Sequence, residues 1–269
     1  MSISPVIPGI TAAALYLFGT FLQLRTMSHN AEFSVRVLTA IGMPALVLHG
    51  FAIYAAINTV DGIDLNLFAV ASLVTLIMVV FVVSMSFVQP VHSLLVLLFP
   101  LGAITVLASL FAESRFTPVA EMTAGLASHI LISITAYSVL MMAAAQAVLV
   151  GTIERNIRTK SHILMLRILP PLETMEHLLF AMLWAGFAVL TISIASGFIY
   201  LDNMFAQHVV HHTVLTSASW IIYVVLLVGR HLFGWRGTSA VRWVLGAFVL
   251  LLLGYFGSKF VLEIILDQG

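Results

Sequence analysis

Eight apolar runs, each long enough to cross a bilayer and joined by short linkers, constrain this chain more than any other feature. They cover roughly Pro5–Leu24, Arg36–Ile57, Leu67–Phe87, His92–Ala112, Ala127–Ile153, His177–Tyr200, Thr213–Gly229 and Trp243–Ile265. A helix needs about 20 mainly apolar residues to cross the hydrocarbon. In lipid a segment must satisfy its backbone hydrogen bonds internally, so each run predicts a helix. The chain is 61% hydrophobic and 8% charged, with mean hydropathy +1.13. Soluble domains are about a quarter charged. The expected fold is an all-α integral membrane bundle of eight transmembrane helices, a single transmembrane domain over residues 1–269. The first run has no basic region before it and no clear A-x-A cleavage site, so it is expected to be retained as a span. A formal net charge of zero and the lack of any long charged run argue against a nucleic-acid partner. The absence of cysteine excludes disulfides, thiolate metal sites and a CxxCH haem attachment.

Orientation follows from the basic residues. Arg25, Arg36, Arg155, Arg158, Lys160, Arg167, Arg230, Arg236 and Arg242 fall in linkers one, five and seven; Arg115 and Lys259 alone do not. Odd-numbered linkers are therefore expected in the cytoplasm and both termini on the non-cytoplasmic side. Trp235 and Trp243 are expected at the inner interface, with Tyr54, Tyr200 and Tyr255 toward the outer one. Trp184 and Trp220 lie too deep for an aromatic belt and are expected to face other helices. Thr117-Pro118 predicts a short surface helix in linker four. Linker five, Arg155 to Glu176, is broken by Pro170-Pro171 and is expected to set topology and touch anionic lipid. Gly186, Ala195, Gly197, Gly246, Gly254 and Gly257 suit close helix contact.

Chemistry concentrates in histidines. His49 lies inside span two, where an imidazole either bonds a neighbouring helix or serves as a ligand or proton carrier. His129 opens span five on the outer side. Between Phe198 and Trp220, which contain no Lys or Arg between them, stand His208, His211 and His212. The spacing H-x-x-H-H places His208 on one face with His211 and His212 if the segment is helical. Such a cluster holds a metal, presents an imidazole to haem iron, or is a solvated interfacial turn. The lack of H-E-x-x-H argues against zinc hydrolysis. Lys259 and Glu263 are spaced to pair on span eight; otherwise Lys259 neutralises an anionic group near the surface. No G-x-S-x-G, phosphate loop or GxGxxG is present, so no enzymatic activity is expected. A transport route through His49 finds no support in any visible internal repeat.

The strings L-P-P-L-E-T-M-E-H-L-L-F at 169–180, S-H-I-L-I-S-I-T-A-Y at 128–137 and G-Y-F-G-S-K-F-V-L-E at 254–263 carry a resemblance. Through them the chain resembles the CcsA/CcmC/CcmF haem-handling membrane proteins of cytochrome c assembly, closest to the small YpjD-like branch. The likeness runs in order over about residues 127–266. The N-terminal half shares the span layout and the L-H-G of span two. The resemblance implies a multi-pass protein of the bacterial inner membrane that holds haem, haem b in kind, at the outer face. His129 falls where the family's first outer histidine sits, and His49 is a second candidate. Asp202–His212 falls where the family has a W-G-x-x-W-x-W-D loop, and it contains no Trp. The family's second outer histidine is matched by Leu266 or its neighbours, and its inner histidine after span seven by Gly229.

The function this implies is non-enzymatic: binding or passing haem at the outer face during cytochrome assembly. His129 with one of His208, His211 and His212 would ligate the iron, His208 and His212 foremost. Phe198, Tyr200 and Phe205 would supply stacking faces, and Lys259 would meet a propionate. Neutral imidazoles bind iron, so binding should weaken below about pH 6. A different class of function is a haem-free scaffold that organises another membrane protein. Lipid surrounds the chain in either case.

Overall fold

A computed structural model describes residues 4–28, 35–60, 62–112, 122–159, 170–200 and 210–265. Eight helices in it are long and apolar enough to cross a membrane. They are α1 (Val6–Ser28), α2 (Val35–Ile57), α3 (Leu67–Met85), α4 (Leu95–Phe111), α5 (Ala124–Thr159), α6 (Leu172–Tyr200), α7 (Val210–Phe233) and α8 (Gly237–Leu252). A 3-10 turn, His92–Leu94, leads into α4, and the eighth span continues past α8 to Ile265. A two-residue antiparallel pair, β1 (Asn58–Thr59) with β2 (Gly62–Ile63), closes the link from α2 to α3.

The helices overrun the apolar runs chiefly at their polar ends. α5 has 36 residues and carries Arg155 and Arg158 in its last turns. At about 1.5 Å per residue it exceeds the roughly 30 Å hydrocarbon, so these arginines reach polar surroundings without breaking the helix. α6 starts at Leu172, directly after Pro170-Pro171, and the Pro171 carbonyl accepts from Met175 N at 3.1 Å. The short helix expected at Thr117-Pro118 lies outside the described residues, as do residues 160–169 of linker five.

The chain forms two compact units. In the first, α1 packs on α2 and α4, and α3 packs on α4 and α2, closing a ring of four helices. Its polar core is a buried string of hydroxyls around one imidazole. Tyr16 Oη lies 3.2 Å from His49 Nδ1, and Ser72 Oγ lies 2.8 Å from His49 Nε2. Three helices are thus tied at one ring, and His49 is fully buried. Thr75 and Thr105 add a 2.6 Å hydroxyl contact between α3 and α4. At the end of α1, Gln23 Nε2 donates to the His92 carbonyl at 3.1 Å. Pro44 and Pro100 sit inside α2 and α4; neighbouring helices allow such prolines within membranes.

In the second unit α5 runs along α6 for most of its length and also packs on α8, which pairs with α7. Gly186 lets α6 approach α5, since an added Cβ would meet Leu140 Cδ2 at 2.7 Å. Among the described residues nothing lies within 4 Å of a Cβ added at Gly246. Gly234, at φ +64°, stops α7 in the left-handed conformation that glycine adopts without strain. The start of α8 is clamped by the buried Glu176 of α6. Glu176 accepts from Gly237 N at 2.9 Å and pairs with Arg236 at 3.2 Å. Trp235 and Trp243 stack at 5.4 Å across the α7–α8 turn.

The tryptophan expectation needs correction for Trp184. It is 55% exposed and meets its own helix neighbour Phe187 edge-on at 6.4 Å. Its apolar ring tolerates lipid as well as protein, so depth alone does not decide which way it faces. Trp220 does face a neighbouring helix, stacking on Phe187 at 5.5 Å and donating to Thr191 Oγ1 at 2.9 Å.

Replacing His49 with Ala should remove about 2–4 kcal/mol, because two hydroxyls lose their partner and a cavity opens. Unfolding of the purified protein by titration with SDS in mixed micelles measures this; an unchanged midpoint would contradict a tying role for the ring.

Candidate functional site

The second unit has two chemically different ends, set by the up-and-down run of its helices. His129 near the start of α5, Tyr200 at the end of α6, His211 and His212 in the first turn of α7, and Lys259 late in the eighth span share one end. Arg155, Arg158, Arg230, Arg236 and Arg242 share the other.

His129 is anchored from one side. Its Nδ1 lies 2.8 Å from Ser196 Oγ on α6. Ser133, one turn along α5, donates to the His129 carbonyl at 2.7 Å and lies 2.8 Å from Ser193 Oγ. Ser196 Oγ donates to the Ser193 carbonyl at 2.8 Å. The polar faces of α5 and α6 therefore meet through i,i+4 and i,i+3 pairs, the spacing that aligns side chains on one side of a helix.

His212 is held by aromatic and backbone packing. Its ring meets Tyr255 edge-on, centroids 5.8 Å apart at 73°. Tyr255 in turn lies 5.6 Å from the Tyr137 ring, two turns below His129 on α5. Tyr137 donates to the Leu251 carbonyl at 3.2 Å. α7 and the eighth span nearly touch at Gly254, where an added Cβ would lie 3.5 Å from the His212 carbonyl. His129 and His212 are close enough to interact electrostatically.

The eighth span leaves α geometry here. Leu253–Gly257 and Val261–Ile265 are π-helical, with an α turn, Ser258–Phe260, between them. Single π turns inside helices recur at functional sites. Lys259 Nζ lies 2.7 Å from Glu263 Oε1, and their side chains are 17% and 2% exposed. The ammonium is also 5.9 Å from the Tyr255 ring centroid. A buried ion pair of this kind is satisfied only while both partners remain.

The expected residues are thus divided. His129 and His212 stand at one end of the unit, within range of each other's charge. The Tyr200 ring lies against Gly125, four residues before His129, with Cδ1 2.5 Å from where a Cβ would be. His211 is exposed, because adjacent residues on a helix point about 100° apart. Phe198 is exposed as well. Lys259 is engaged by Glu263. His49 belongs to the first unit with both nitrogens in contact with hydroxyls. His208 and Phe205 lie outside the described residues. Among the described residues no three His, Asp or Glu side chains form a metal-holding group. The sequence reading missed Ser133, Ser193, Ser196, Tyr137 and the inward role of Tyr255. The available signal was serines at i,i+4 and i,i+3 spacing in otherwise apolar helices, opposite a lone histidine.

Two four-helix units of membrane-spanning length, with two imidazoles and a group of serines at one end of the second, define a multi-pass membrane protein with histidines beside its helix ends. Residues 37–266 match the family model described as cytochrome C assembly protein, and the chain belongs to that family. It is 30% identical over 223 residues to the inner membrane protein YpjD of Escherichia coli strain K12, covering 82% of this chain and 84% of that one. It is 34% identical over 140 residues to an uncharacterized 28.8 kDa protein in the nifR3-like 5' region of Azospirillum brasilense, about half of each chain. No solved structure matches. The protein is accordingly a multi-pass inner-membrane member of a haem-related assembly family.

Replacing Glu263 with Gln should destabilise the second unit by about 3 kcal/mol by removing the carboxylate that faces the Lys259 ammonium, and adding Lys259→Met should recover much of that loss. SDS-titration midpoints of wild type, single and double variants test it; additive losses would show that the two side chains do not act as a pair.

Proposed function

We propose that this protein binds or passes haem at the outer membrane face during cytochrome c assembly, with His129 and His212 as the iron ligands. The carrying observation is that these two imidazoles, from α5 and α7, stand at the same arginine-free end of one unit, within range of each other's charge. The donor set fits the group: imidazoles are common haem ligands, and His129 is held through Nδ1, which leaves its other nitrogen for iron. The Tyr255 ring meets His212 edge-on, and the Tyr200 ring lies one turn before His129, against Gly125. His208 or His211 would stand in for His212 if the segment before α7 supplied the ligand. Lys259 would meet a propionate by exchanging it for Glu263. Haem b, when bound there, would supply the iron-bearing ring that a c-type cytochrome receives. The arginine-rich end faces the cytoplasm in this reading, which puts the histidines and both termini outside. The protein does no chemistry of its own, and a second cytochrome-assembly or membrane protein would take the haem from it.

A second reading, a haem-free scaffold for another membrane protein, is favoured by the absence of Trp in the segment before α7 and by the Lys259–Glu263 pair already being closed. It predicts colourless protein carrying a stoichiometric membrane partner.

Protein purified from haem-replete cells should show a Soret band that falls at least tenfold in His129→Ala and shifts or weakens in His212→Ala. The band should fade as pH drops below about 6, because protonated imidazole does not ligate iron. A flat Soret region in wild type, or a band indifferent to His129→Ala, would sink the reading.

A further inference from the structure

We infer that Ser196 is a positioning residue that fixes His129 in the Nδ1–H tautomer, making Nε2 the nitrogen offered to a ligand. The ligand-presenting role rests on the haem reading above, whereas the tautomer is a property of the bare protein.

A serine hydroxyl has one proton to give and lone pairs to accept with. Ser196 Oγ gives its proton to the Ser193 carbonyl at 2.8 Å. Toward His129 Nδ1, 2.8 Å away, it is therefore an acceptor, and Nδ1 carries the hydrogen. A neutral imidazole holds one N–H, so Nε2 keeps a bare lone pair.

The remaining hydroxyls leave little freedom to reverse this. Ser133 gives its proton to the His129 carbonyl at 2.7 Å. At 2.8 Å from Ser193 Oγ it must accept, so Ser193 donates to Ser133. Every hydroxyl proton then has one destination, in a circuit that runs from the His129 carbonyl through Ser133, Ser193 and Ser196 back to the His129 ring. Ser193 and Ser196 are 6% and 7% exposed, which keeps water from replacing either partner. The opposite tautomer would require Ser196 to withdraw its proton from the Ser193 carbonyl. A second-nitrogen hydrogen bond is the general device by which proteins orient a ligating histidine.

The test is nitrogen NMR of the full chain in nanodiscs, with 15N-histidine and at alkaline pH where the ring is neutral. The His129 signals are assigned by their loss in His129→Gln. Wild type should show a protonated Nδ1 and an unprotonated Nε2. Ser196→Ala should shift the population toward the Nε2–H form, and Ser196→Thr should restore the wild-type pattern. A wild-type His129 protonated at Nε2, or an unchanged tautomer in Ser196→Ala, overturns the inference; the wild-type measurement alone suffices if the alanine variant does not fold. Haem titration then separates the two layers. Ser196→Ala should weaken haem binding about 10- to 100-fold, with Ser196→Thr close to wild type. Haem binding unaffected by Ser196→Ala, with the tautomer changed, overturns the presenting role. No haem binding in wild type, with the tautomer as inferred, overturns the haem reading and the presenting role while the tautomer stands.

Discussion

Lipid offers no hydrogen-bond partner, and the buried polar clusters among the described residues are arranged around that fact. The backbone answers it with eight helices. The side chains answer it by finding one another across helix boundaries, since an unpaired polar group in hydrocarbon costs several kcal/mol. Apolar contact alone draws membrane helices together weakly, because the tails are as apolar as the side chains they would replace. Polar pairs and small residues therefore carry much of the information about which helices meet.

The two units use this rule differently. The first spends one imidazole inside: His49 lies between the hydroxyls of Tyr16 and Ser72 and knits α1, α2 and α3. The second places its histidines near helix ends. Among the described residues His129 is held through Nδ1, and His212 is held by ring edges and close backbone packing. One side chain type thus plays two parts. The difference is whether both nitrogens already have partners.

At the opposite end of the second unit, charges do mechanical work. Glu176 ties the start of α8 to α6 through Gly237 and Arg236, and Arg230 lies 4.5 Å from the Phe180 ring centroid while donating to the Trp235 carbonyl. Arginines at this end thus brace the turn between α7 and α8. Near the histidines, the eighth span departs into π geometry and buries Lys259 with Glu263. That departure brings Tyr255 against both Tyr137 and His212.

The span count and most span limits were legible in the residue pattern, because hydrocarbon thickness imposes a length that any apolar run must meet. The resemblance to the haem-handling family was legible in three short strings, and the family match over residues 37–266 agrees with it. The pairing of Lys259 with Glu263 was also readable, since i,i+4 neighbours share a helix face whatever surrounds them. Which histidines meet was not. Adjacent His211 and His212 are equivalent on paper, and only the packing of α7 against the eighth span turns one inward and the other out. Ser193 and Ser196 gain meaning solely through the register of α6 on α5, which no local pattern encodes. Sequence by itself determined how many helices there are and what chemistry they carry; tertiary structure decided which side chains face each other, because rotation and register depend on contacts between segments far apart in the chain.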